Sequence, residues 1–392
     1  MSSLSLEGIE FLTSERGQAA LARELPAEGL AALTALRGEG FSPAEAGWLL
    51  EQRELRARAE RKLPAADVAR MLFLKEALEQ ASAHEVATWR AQKLAGRRVL
   101  EVGAALGADS AALARAGCAL VACELDPVRA ALLRHNLAAL GLSERVEVHP
   151  GDGLERAAGG GWDALYADPA RRRGGKRVLG LEAMAPPLSA LRERARADLL
   201  VKVAPGLDLS EVPRDLGLEL VSLRGELKEA LLTGGALRRP GPRAVLLGGD
   251  APWELAPEGS EPPPRTADPG AFLFEPDPAV IRAGLVRALG QRLDAWQLDP
   301  RIAFLSGDAP SETPGARCWR VLRHGPYRRK EVSQWLRAEG AGRVIVKQRG
   351  TRQDAAALEK RLPRQAGGPL RWLFLARTDA GPLALLCADL ED

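Results

Sequence analysis

The chain has 392 residues, a formal net charge of +3 and 46% hydrophobic residues, enough for the cores of about two to three globular domains. The N-terminus lacks a basic patch followed by a long apolar run, and no later segment approaches the roughly 18 uninterrupted apolar residues of a membrane span. We therefore expect a cytoplasmic protein. The four cysteines form no Cys-x-x-Cys pair and have no histidine cluster nearby, so neither a zinc or other metal site nor a disulfide framework is indicated.

Positive charge is concentrated near the end of the chain. Between Arg317 and Arg377 there are sixteen Lys or Arg against four Asp or Glu, a local charge of +12, which leaves −9 for the rest. Positive charge that displaces counterions from phosphates is a general source of nucleic-acid affinity. The alternative is a solvated surface, since arginine is abundant throughout this chain.

Residues 1–84 are predicted to form a helical N-terminal region. The sequence Ser42-Pro43-Ala44-Glu45 combines an N-cap, a proline in the first turn and a capping-box glutamate, and the helix should run to about Lys62. A second helical pattern covers Ala65–Ser82. Within it, Phe73 and Gln80 either close a ligand pocket or serve ordinary helix packing.

From Arg97 short apolar strands alternate with amphipathic helices, which predicts one α/β domain over residues 85–250, with a parallel sheet covered on both faces. The predicted strands are Arg98–Val102, Leu120–Glu124, Val146–His149, Ala164–Ala167, Leu199–Val203, Glu219–Arg224 and Ala244–Leu247.

Beyond this domain, proline-rich sequence predicts a boundary. Residues 251–310 are interpreted as a linker with a helix, because proline removes backbone donors and restricts the preceding residue. Residues 311–392 are predicted to be a small basic α/β module. Its expected elements are strands near Trp319–Leu322, Val344–Lys347, Trp372–Leu375 and Leu383–Leu386, and helices over Lys330–Glu339 and Asp354–Leu362.

A glycine turn, Gly103 to Gly107, joins the first predicted strand to a helix, at the carboxyl edge where open α/β sheets bind ligands. Glu124 ends the second strand, where a carboxylate can accept hydrogen bonds from both hydroxyls of a ribose. These features fit NAD and S-adenosylmethionine (SAM) equally. Two further carboxylates favour SAM: Glu101 can face the ammonium group of its methionine moiety, and Asp152 can accept from the adenine amino group.

The motifs at these strand ends are Glu101–Gly107, Glu124-Leu125-Asp126-Pro127, Asp152-Gly153 and Asp168-Pro169. In order and spacing they resemble those of class I SAM-dependent methyltransferases. The resemblance implies a Rossmann-like, seven-stranded methyltransferase domain with SAM as cofactor. The implied cofactor-binding residues are Glu101, Gly103, Ala105, Gly107, Glu124, Asp152 and Gly153.

Ala105 departs from the family pattern, which usually places a glycine there so that the backbone can lie close to the cofactor. We expect Ala105 to have a negative φ and only to narrow the pocket. Two neighbouring carboxylates are ambiguous: Asp126 is expected to be a helix N-cap before Pro127, and Asp109 either caps the first helix or lines the pocket.

The sequence Asp168-Pro169-Ala170-Arg171 resembles the Asp/Asn-Pro-Pro-aromatic motif of amino-group methyltransferases. By that resemblance, Asp168 and the Pro169 carbonyl are catalytic groups that accept hydrogen bonds from the target amine and orient its lone pair. Ala170 and Arg171 replace the second proline and the aromatic residue. Asp-Pro-x-Arg also resembles the corresponding motif of enzymes that methylate C5 of uracil. Those enzymes attack the base with a cysteine, and no cysteine follows the fourth or fifth strand, so covalent C5 chemistry is not expected here.

Several basic residues are predicted to contact the substrate. Residues 171–177 carry five positive charges directly beyond Asp168, which suits nucleic-acid phosphates, although a solvated loop is the alternative. Lys202 interrupts an apolar strand, as either a substrate contact or a snorkelling lysine. The candidates in these two segments are Arg171, Arg172, Lys176 and Lys202.

The segment from Trp319 to the end resembles the THUMP-like domain attached to a bacterial class of SAM-dependent methyltransferases, and Glu275–Leu285 is similar to the segment that precedes it there. THUMP domains bind RNA, so the resemblance implies an RNA partner. The candidate contacts are Tyr327, Arg328, Arg329, Lys330, Lys347 and Arg349.

These features together predict a methyltransferase that N-methylates a base in structured RNA, either tRNA or rRNA. Two alternatives remain at this stage. One is a non-catalytic RNA-binding protein with a degenerate SAM fold, and the other is a methyltransferase that acts on a protein or a small molecule.

Overall fold

The computed structural model describes residues 4–23, 29–170, 172–173, 176–177, 180–259, 263, 265–351 and 353–391, and for residues 171–179 it describes no side chains. The chain divides into two compact units. The first comprises residues 1–217 and 230–240, and the second comprises residues 218–229 and 241–392.

Seven described helices precede the first strand. They are α1 (Leu6–Thr13), α2 (Glu15–Ala22), α3 (Leu30–Gly38), α4 (Pro43–Ala59), α5 (Ala65–Val68), α6 (Lys75–Gln80) and α7 (His84–Gln92). The predicted capping box is present at α4: the Ser42 hydroxyl accepts from the Glu45 N–H at 3.2 Å, and the Glu45 carboxylate accepts from the Ser42 N–H at 2.6 Å. Helix α4 therefore begins where the sequence predicts and ends three residues earlier than expected.

The helix predicted over Ala65–Ser82 is interrupted between α5 and α6. Leu72 and Phe73 are fully buried there, and side chains from elsewhere in the chain replace the helical hydrogen bonds. Gln52 bonds the N–H and the carbonyl of Phe73, and Asn136 bonds the same two groups of Leu72. These tertiary hydrogen bonds satisfy the buried backbone without a continuous helix.

The α/β part that follows alternates strands and helices. Its elements are β1 (Arg98–Val102), α8 (Ala108–Arg115), β2 (Ala119–Glu124), α9 (Pro127–Ala139), β3 (Val146–Pro150), α10 (Gly153–Ala158), β4 (Ala164–Ala167), β5 (Arg172–Arg173), β6 (Lys176–Arg177), α11 (Leu188–Arg194), β7 (Asp198–Val203), β8 (Gly217–Leu223), β9 (Glu226–Gly234), β10 (Pro242–Leu247) and β11 (Trp253–Leu255).

In the first unit the sheet has the order β9-β7-β4-β1-β2-β3. The strands β3, β2, β1, β4 and β7 are parallel, and β9 is antiparallel to β7. The register pairs Val102 of β1 with Cys123 of β2 and Ala167 of β4. The residues that follow these three strands therefore meet at one edge of the sheet.

All seven strands predicted over residues 85–250 are present in the structure. The structure also contains β9, which the sequence did not predict. Its first seven residues, Glu-Leu-Lys-Glu-Ala-Leu-Leu, are mostly good helix formers, so local propensity does not predict a strand. Residues 229–234 are buried, and residues 230–234 pair with β7, which overrides that propensity.

The second unit contains β8, β10 and β11, in which β10 pairs parallel to β8 and antiparallel to β11. It also contains a seven-stranded sheet of order β13-β14-β12-β15-β18-β17-β16. The remaining elements are β12 (Phe272–Pro276), α12 (Pro278–Arg282), α13 (Val286–Arg292), β13 (Trp296–Gln297), β14 (Leu305–Gly307), β15 (Ala316–Pro326), α14 (Arg329–Ala338), β16 (Val344–Arg349), α15 (Ala355–Glu359), β17 (Arg371–Thr378) and β18 (Gly381–Ala388).

The structure differs from the expected linker over residues 251–310. This segment contributes β12, β13 and β14 to the seven-stranded sheet, and β12 pairs with β15 along five residues. The prediction treated proline density as a sign of irregular chain, but the prolines cluster between the strands. Among the described residues, none of the helices combines the length and apolar character that crossing a bilayer requires.

Candidate cofactor and acceptor site

A cleft of about 1110 Å³ lies at the carboxyl edge of the parallel strands in the first unit. The segments after β1, β2, β3 and β4 each contribute to its wall. Of the predicted site residues, six line it: Gly103, Ala105, Glu124, Asp152, Gly153 and Asp168. This is the edge at which open α/β sheets bind their ligands.

The glycine turn needs glycine at both ends. Gly103 has φ +85°, and a Cβ atom there would lie 2.9 Å from the main-chain oxygen of Asp168. Gly107 has φ +90°, and a Cβ atom there would lie 2.7 Å from Leu133 of α9. Gly107 does not line the cleft, so its place in the motif comes from backbone conformation and close packing.

Ala105 has φ +49°, so the expectation of a negative φ is wrong. Its N–H donates to Oε2 of Glu124 at 2.8 Å. The bond is made with the backbone in the left-handed region, where an L-residue with a side chain is strained. Glu124 thus holds the turn in a conformation that glycine would adopt more readily.

Glu124 ends β2 and is 7% exposed. Besides the bond to Ala105, its Oε1 accepts from the N–H of Asp126 at 3.0 Å. A carboxylate has about four acceptor positions, so two remain for a ligand at the cleft. The loop fixes this side chain without exhausting its capacity.

Asp126 and Asp152 are helix N-caps. Asp126 accepts from the N–H groups of Val128 and Arg129, as expected for the residue before Pro127. Asp152 accepts from the N–H of Leu154 at 2.7 Å and also lines the cleft. Their side chains are therefore held at the rim by the helices that they begin.

Glu101 is placed differently from the prediction. It is 1% exposed, does not line the cleft, and accepts a hydrogen bond from the Ser110 hydroxyl at 2.6 Å. Burial raises the pKa of Glu101 to about 8. A carboxyl that is protonated at neutral pH cannot act as the counter-ion of an ammonium group, so its position does not support the predicted contact.

Asp168 follows β4 and presents its carboxylate to the cleft, with 23% of the side chain exposed. Its Oδ2 accepts from the Lys202 ammonium at 2.7 Å. Pro169 is buried and does not line the cleft. Lys202 is 4% exposed, which fits neither of its two predicted roles, a direct substrate contact or a snorkelling side chain.

Asp109 is a site residue whose role the sequence left open. It lines the cleft near the start of α8 and accepts from the Tyr166 hydroxyl at 2.7 Å. Its carboxylate also pairs with Arg90 at 2.5 Å. Burial opposes ionisation of Asp109, but Arg90 and Lys202 outweigh it and lower the pKa of this carboxyl.

Of two further segments that line the cleft, the sequence left the role of one open and gave no signal for the other. Gln80 does line the cleft, together with Ala77 and Ala81, whereas Phe73 lies in the core of the helical region. Residues 182–187 also line the cleft, and they carry no motif that could have identified them. Arg171 lies outside the described residues, and of Arg172 and Lys176 only the backbone pairing of β5 with β6 is described.

The basic candidates of the second unit lie on two faces of its sheet. Arg329 and Lys330 begin α14, whose Val332 and Leu336 pack in one core cluster with Val346 of β16. Lys347, the next residue of β16, lies over the rings of Trp319 and Trp372 in the other cluster. Because side chains alternate along a strand, these cations do not form one surface.

Ion pairs engage some of these candidates. Arg328 pairs with Glu331 at 2.9 Å, Arg349 pairs with Glu275 at 3.4 Å, and Lys347 pairs with the same Glu275. Arg329 and Lys330 are exposed and have no ion pair among the described residues. Tyr327 is half-buried and packs against the cluster beneath α14.

This fold and cleft define a class of protein: an α/β protein with a ligand crevice at the carboxyl edge of its parallel strands, lined by the carboxylates of Glu124, Asp152 and Asp168. Comparisons identify the family. An uncharacterized S-adenosylmethionine-dependent methyltransferase of Mycobacterium tuberculosis strain CDC 1551 / Oshkosh is 38% identical over 359 residues, 88% of this chain and 96% of that protein. Its counterpart in strain ATCC 25618 / H37Rv gives the same values. The chain belongs to the SAM-dependent methyltransferases, and SAM is its cofactor.

The other comparisons agree with this assignment. A crystal structure of a methyltransferase from Porphyromonas gingivalis W83 has the same fold, with a TM-score of 0.76 at 21% identity over 98% of both chains. The family model described as THUMP domain-like matches residues 316–389, and a domain of unknown function, DUF8688, matches residues 5–59. The predicted enzyme class, cofactor and THUMP-like module are confirmed.

Replacing Glu101 with Gln should stabilise the protein at neutral and alkaline pH. The carboxyl titrates near 4.5 when unfolded and near 8 when folded, so the wild type loses stability as pH rises between these values. Gln carries no proton to lose and still accepts from Ser110. At pH 7 the variant should gain about 3 kcal/mol in the free energy of unfolding, with little gain at pH 4.5.

Urea unfolding at pH 5 and pH 8 measures this difference. Glu155→Gln, at an exposed position on α10, is the control and should show no such trend. A gain for Glu101→Gln that is equal at both pH values contradicts the prediction.

Ala105→Gly should raise the free energy of unfolding by about 0.5 kcal/mol. Relief of the left-handed strain contributes about 1–2 kcal/mol, and the greater freedom of glycine in the unfolded chain removes about 0.4–1. SAM affinity should stay the same or improve. Thermal unfolding and calorimetry with SAM test both points. Ala104→Gly, without left-handed strain, should instead destabilise the protein, and a large loss of SAM affinity in Ala105→Gly would refute this account of the turn.

Proposed function

We propose that this enzyme methylates a nitrogen atom of a base in structured RNA, either tRNA or rRNA. The observation that supports this most directly is Asp168, a carboxylate at the end of β4 that faces the cleft beside the glycine turn. Among the described residues, no hydrogen bond reaches its Oδ1. That oxygen is available to accept from the N–H of an acceptor amine.

The cleft residues fit the cofactor. Glu124 would accept from the ribose hydroxyls, and Asp152 would accept from the adenine amino group. Leu125 is 74% exposed and lines the same cleft, so it offers an apolar surface to the adenine ring. Gly103, Ala105 and Gly153 would let the backbone approach the cofactor closely. Glu101 and Gly107 do not line the cleft and would instead support the conformation of the glycine turn.

In this proposal the catalytic work of the chain is positioning. Bound SAM supplies the methyl group, on a sulfonium that needs no acid catalysis from the protein. Asp168 would accept a hydrogen bond from the amine and direct its lone pair into the cleft. Pro169, which is buried and does not line the cleft, would not contact the amine directly. Holding the acceptor in this geometry supplies much of the rate enhancement.

The RNA substrate is inferred from charge and from the THUMP domain-like match. The local charge of +12 between Arg317 and Arg377 lies within that module. Arg329 and Lys330 are exposed on α14 and are free to pair with phosphates. Arg171, Arg172 and Lys176 follow Asp168 in the sequence and would place further positive charge near the acceptor.

Asp168→Ala should lower methyl transfer at least about 100-fold, because alanine has no oxygen to accept the hydrogen bond that orients the acceptor amine. SAM binding, measured by calorimetry, should change little. The assay is mass spectrometry of nucleosides after incubating SAM and enzyme with total RNA from cells that lack this activity. Asp250→Ala, at an exposed position, is the control. A ribose-methylated nucleoside, or full activity in Asp168→Ala, contradicts the proposal.

The double substitution Arg329→Ala and Lys330→Ala should weaken binding to total tRNA and make the slope of log affinity against log salt shallower by about 1–2. Fluorescence anisotropy over a salt series measures this slope. Lys347→Ala is the matched control, since its charge is already paired with Glu275 on the other face, and it should change the slope less. An unchanged slope in the double variant contradicts the proposed RNA surface.

A further inference from the structure

We propose that Lys202 is a positioning residue, whose ammonium group fixes the Asp168 carboxylate in the orientation that receives the acceptor. The inference rests on the role proposed above for Asp168. Lys202 would act through Asp168 and through no direct contact with the substrate.

The strand register places the two residues side by side. Strands β4 and β7 are parallel, with Ala167 paired to Val201, so Asp168 and Lys202 are the next residues along. The Lys202 Nζ lies 2.7 Å from Oδ2 of Asp168, and Lys202 does not line the cleft. It therefore holds one carboxylate oxygen from within the fold and leaves the other toward the cleft.

A second contact fixes the lysine itself. The Lys202 Nζ lies 3.4 Å from the main-chain carbonyl of Gln80, the last residue of α6. Carbonyl groups in the last turn of a helix lack intrahelical partners and carry partial negative charge, so they suit an ammonium donor. Lys202 thus joins the catalytic carboxylate to the helix that forms one wall of the cleft.

The charged groups around Lys202 and Asp168 indicate that Lys202 is the cationic partner of Asp168. Asp109 also lies near Lys202, at 3.9 Å, but has Arg90 at 2.5 Å and the Tyr166 hydroxyl at 2.7 Å. Two carboxylates and two cations therefore occupy this region together. Without Lys202 the carboxylates of Asp168 and Asp109 would repel each other, and Asp168 would be free to rotate.

Stability alone does not explain the lysine. A buried ion pair gains little over apolar residues of similar volume, because taking both charges out of water costs about as much as their attraction returns. From Leu199 to Val203, all residues of β7 except Lys202 are apolar, and all are buried. The exception, Lys202, is the residue next to Asp168, whose carboxylate faces the cleft.

The test measures methyl transfer by the full-length enzyme to total RNA from cells that lack this activity. Lys202→Met should lower kcat at least about 100-fold. The calorimetric Kd for SAM and the KM for RNA should both stay within about threefold, since the lysine contacts neither. Lys202→Arg, which keeps the charge, should restore part of the lost kcat.

The decisive comparison is a double-mutant cycle. If Lys202 acts only through Asp168, then Lys202→Met combined with Asp168→Ala should be no slower than Asp168→Ala alone. The double variant also removes both charges, so it keeps the test valid if Lys202→Met alone folds poorly. Multiplicative losses, or a kcat for Lys202→Met within threefold of wild type, overturn the inference. Full activity in Asp168→Ala would instead refute the proposed function itself.

Discussion

The parallel register of β1, β2 and β4 is the constraint on which the cleft depends. It aligns Val102, Cys123 and Ala167, so the glycine turn, Glu124 and Asp168 emerge at one edge although the chain separates them widely. The hydrogen bond from Ala105 to Glu124 then couples two of these segments directly. A shift of one residue in either pairing would send these side chains to the opposite face of the sheet.

Charge in this part of the fold is arranged in neutralised sets. Arg90 forms an ion pair with Asp109, and Lys202 forms one with Asp168. Burial raises the pKa of Glu101 to about 8, so this carboxyl stays neutral and needs no cationic partner. A buried charge is costly unless it is paired and hydrogen-bonded. The arrangement allows a carboxylate to face the cleft at neutral pH without destabilising the sheet beneath it.

Strand-end residues could be predicted from sequence because strand periodicity and turn chemistry are local signals. The positions of Glu124, Asp126 and Asp168 follow from them. What the sequence could not supply depends on residues far apart in the chain. The Lys202 ammonium lies near the main-chain carbonyl of Gln80, 122 positions away in the chain, and the N–H of Ala105 donates to Glu124, 19 positions away. Strand β9 is likewise determined by its neighbour, against its own composition.

The pairing of β12 with β15 determines where the THUMP-like module can be cut from the chain. The family model covers residues 316–389, yet β15 is bonded on one side to β12, which precedes that range, and on the other to β18. A fragment that begins after β12 would remove the partner of residues 316–320 of β15 and leave an open strand edge there, of the kind that pairs with other chains. Transferring this module to another enzyme thus means including β12 with it.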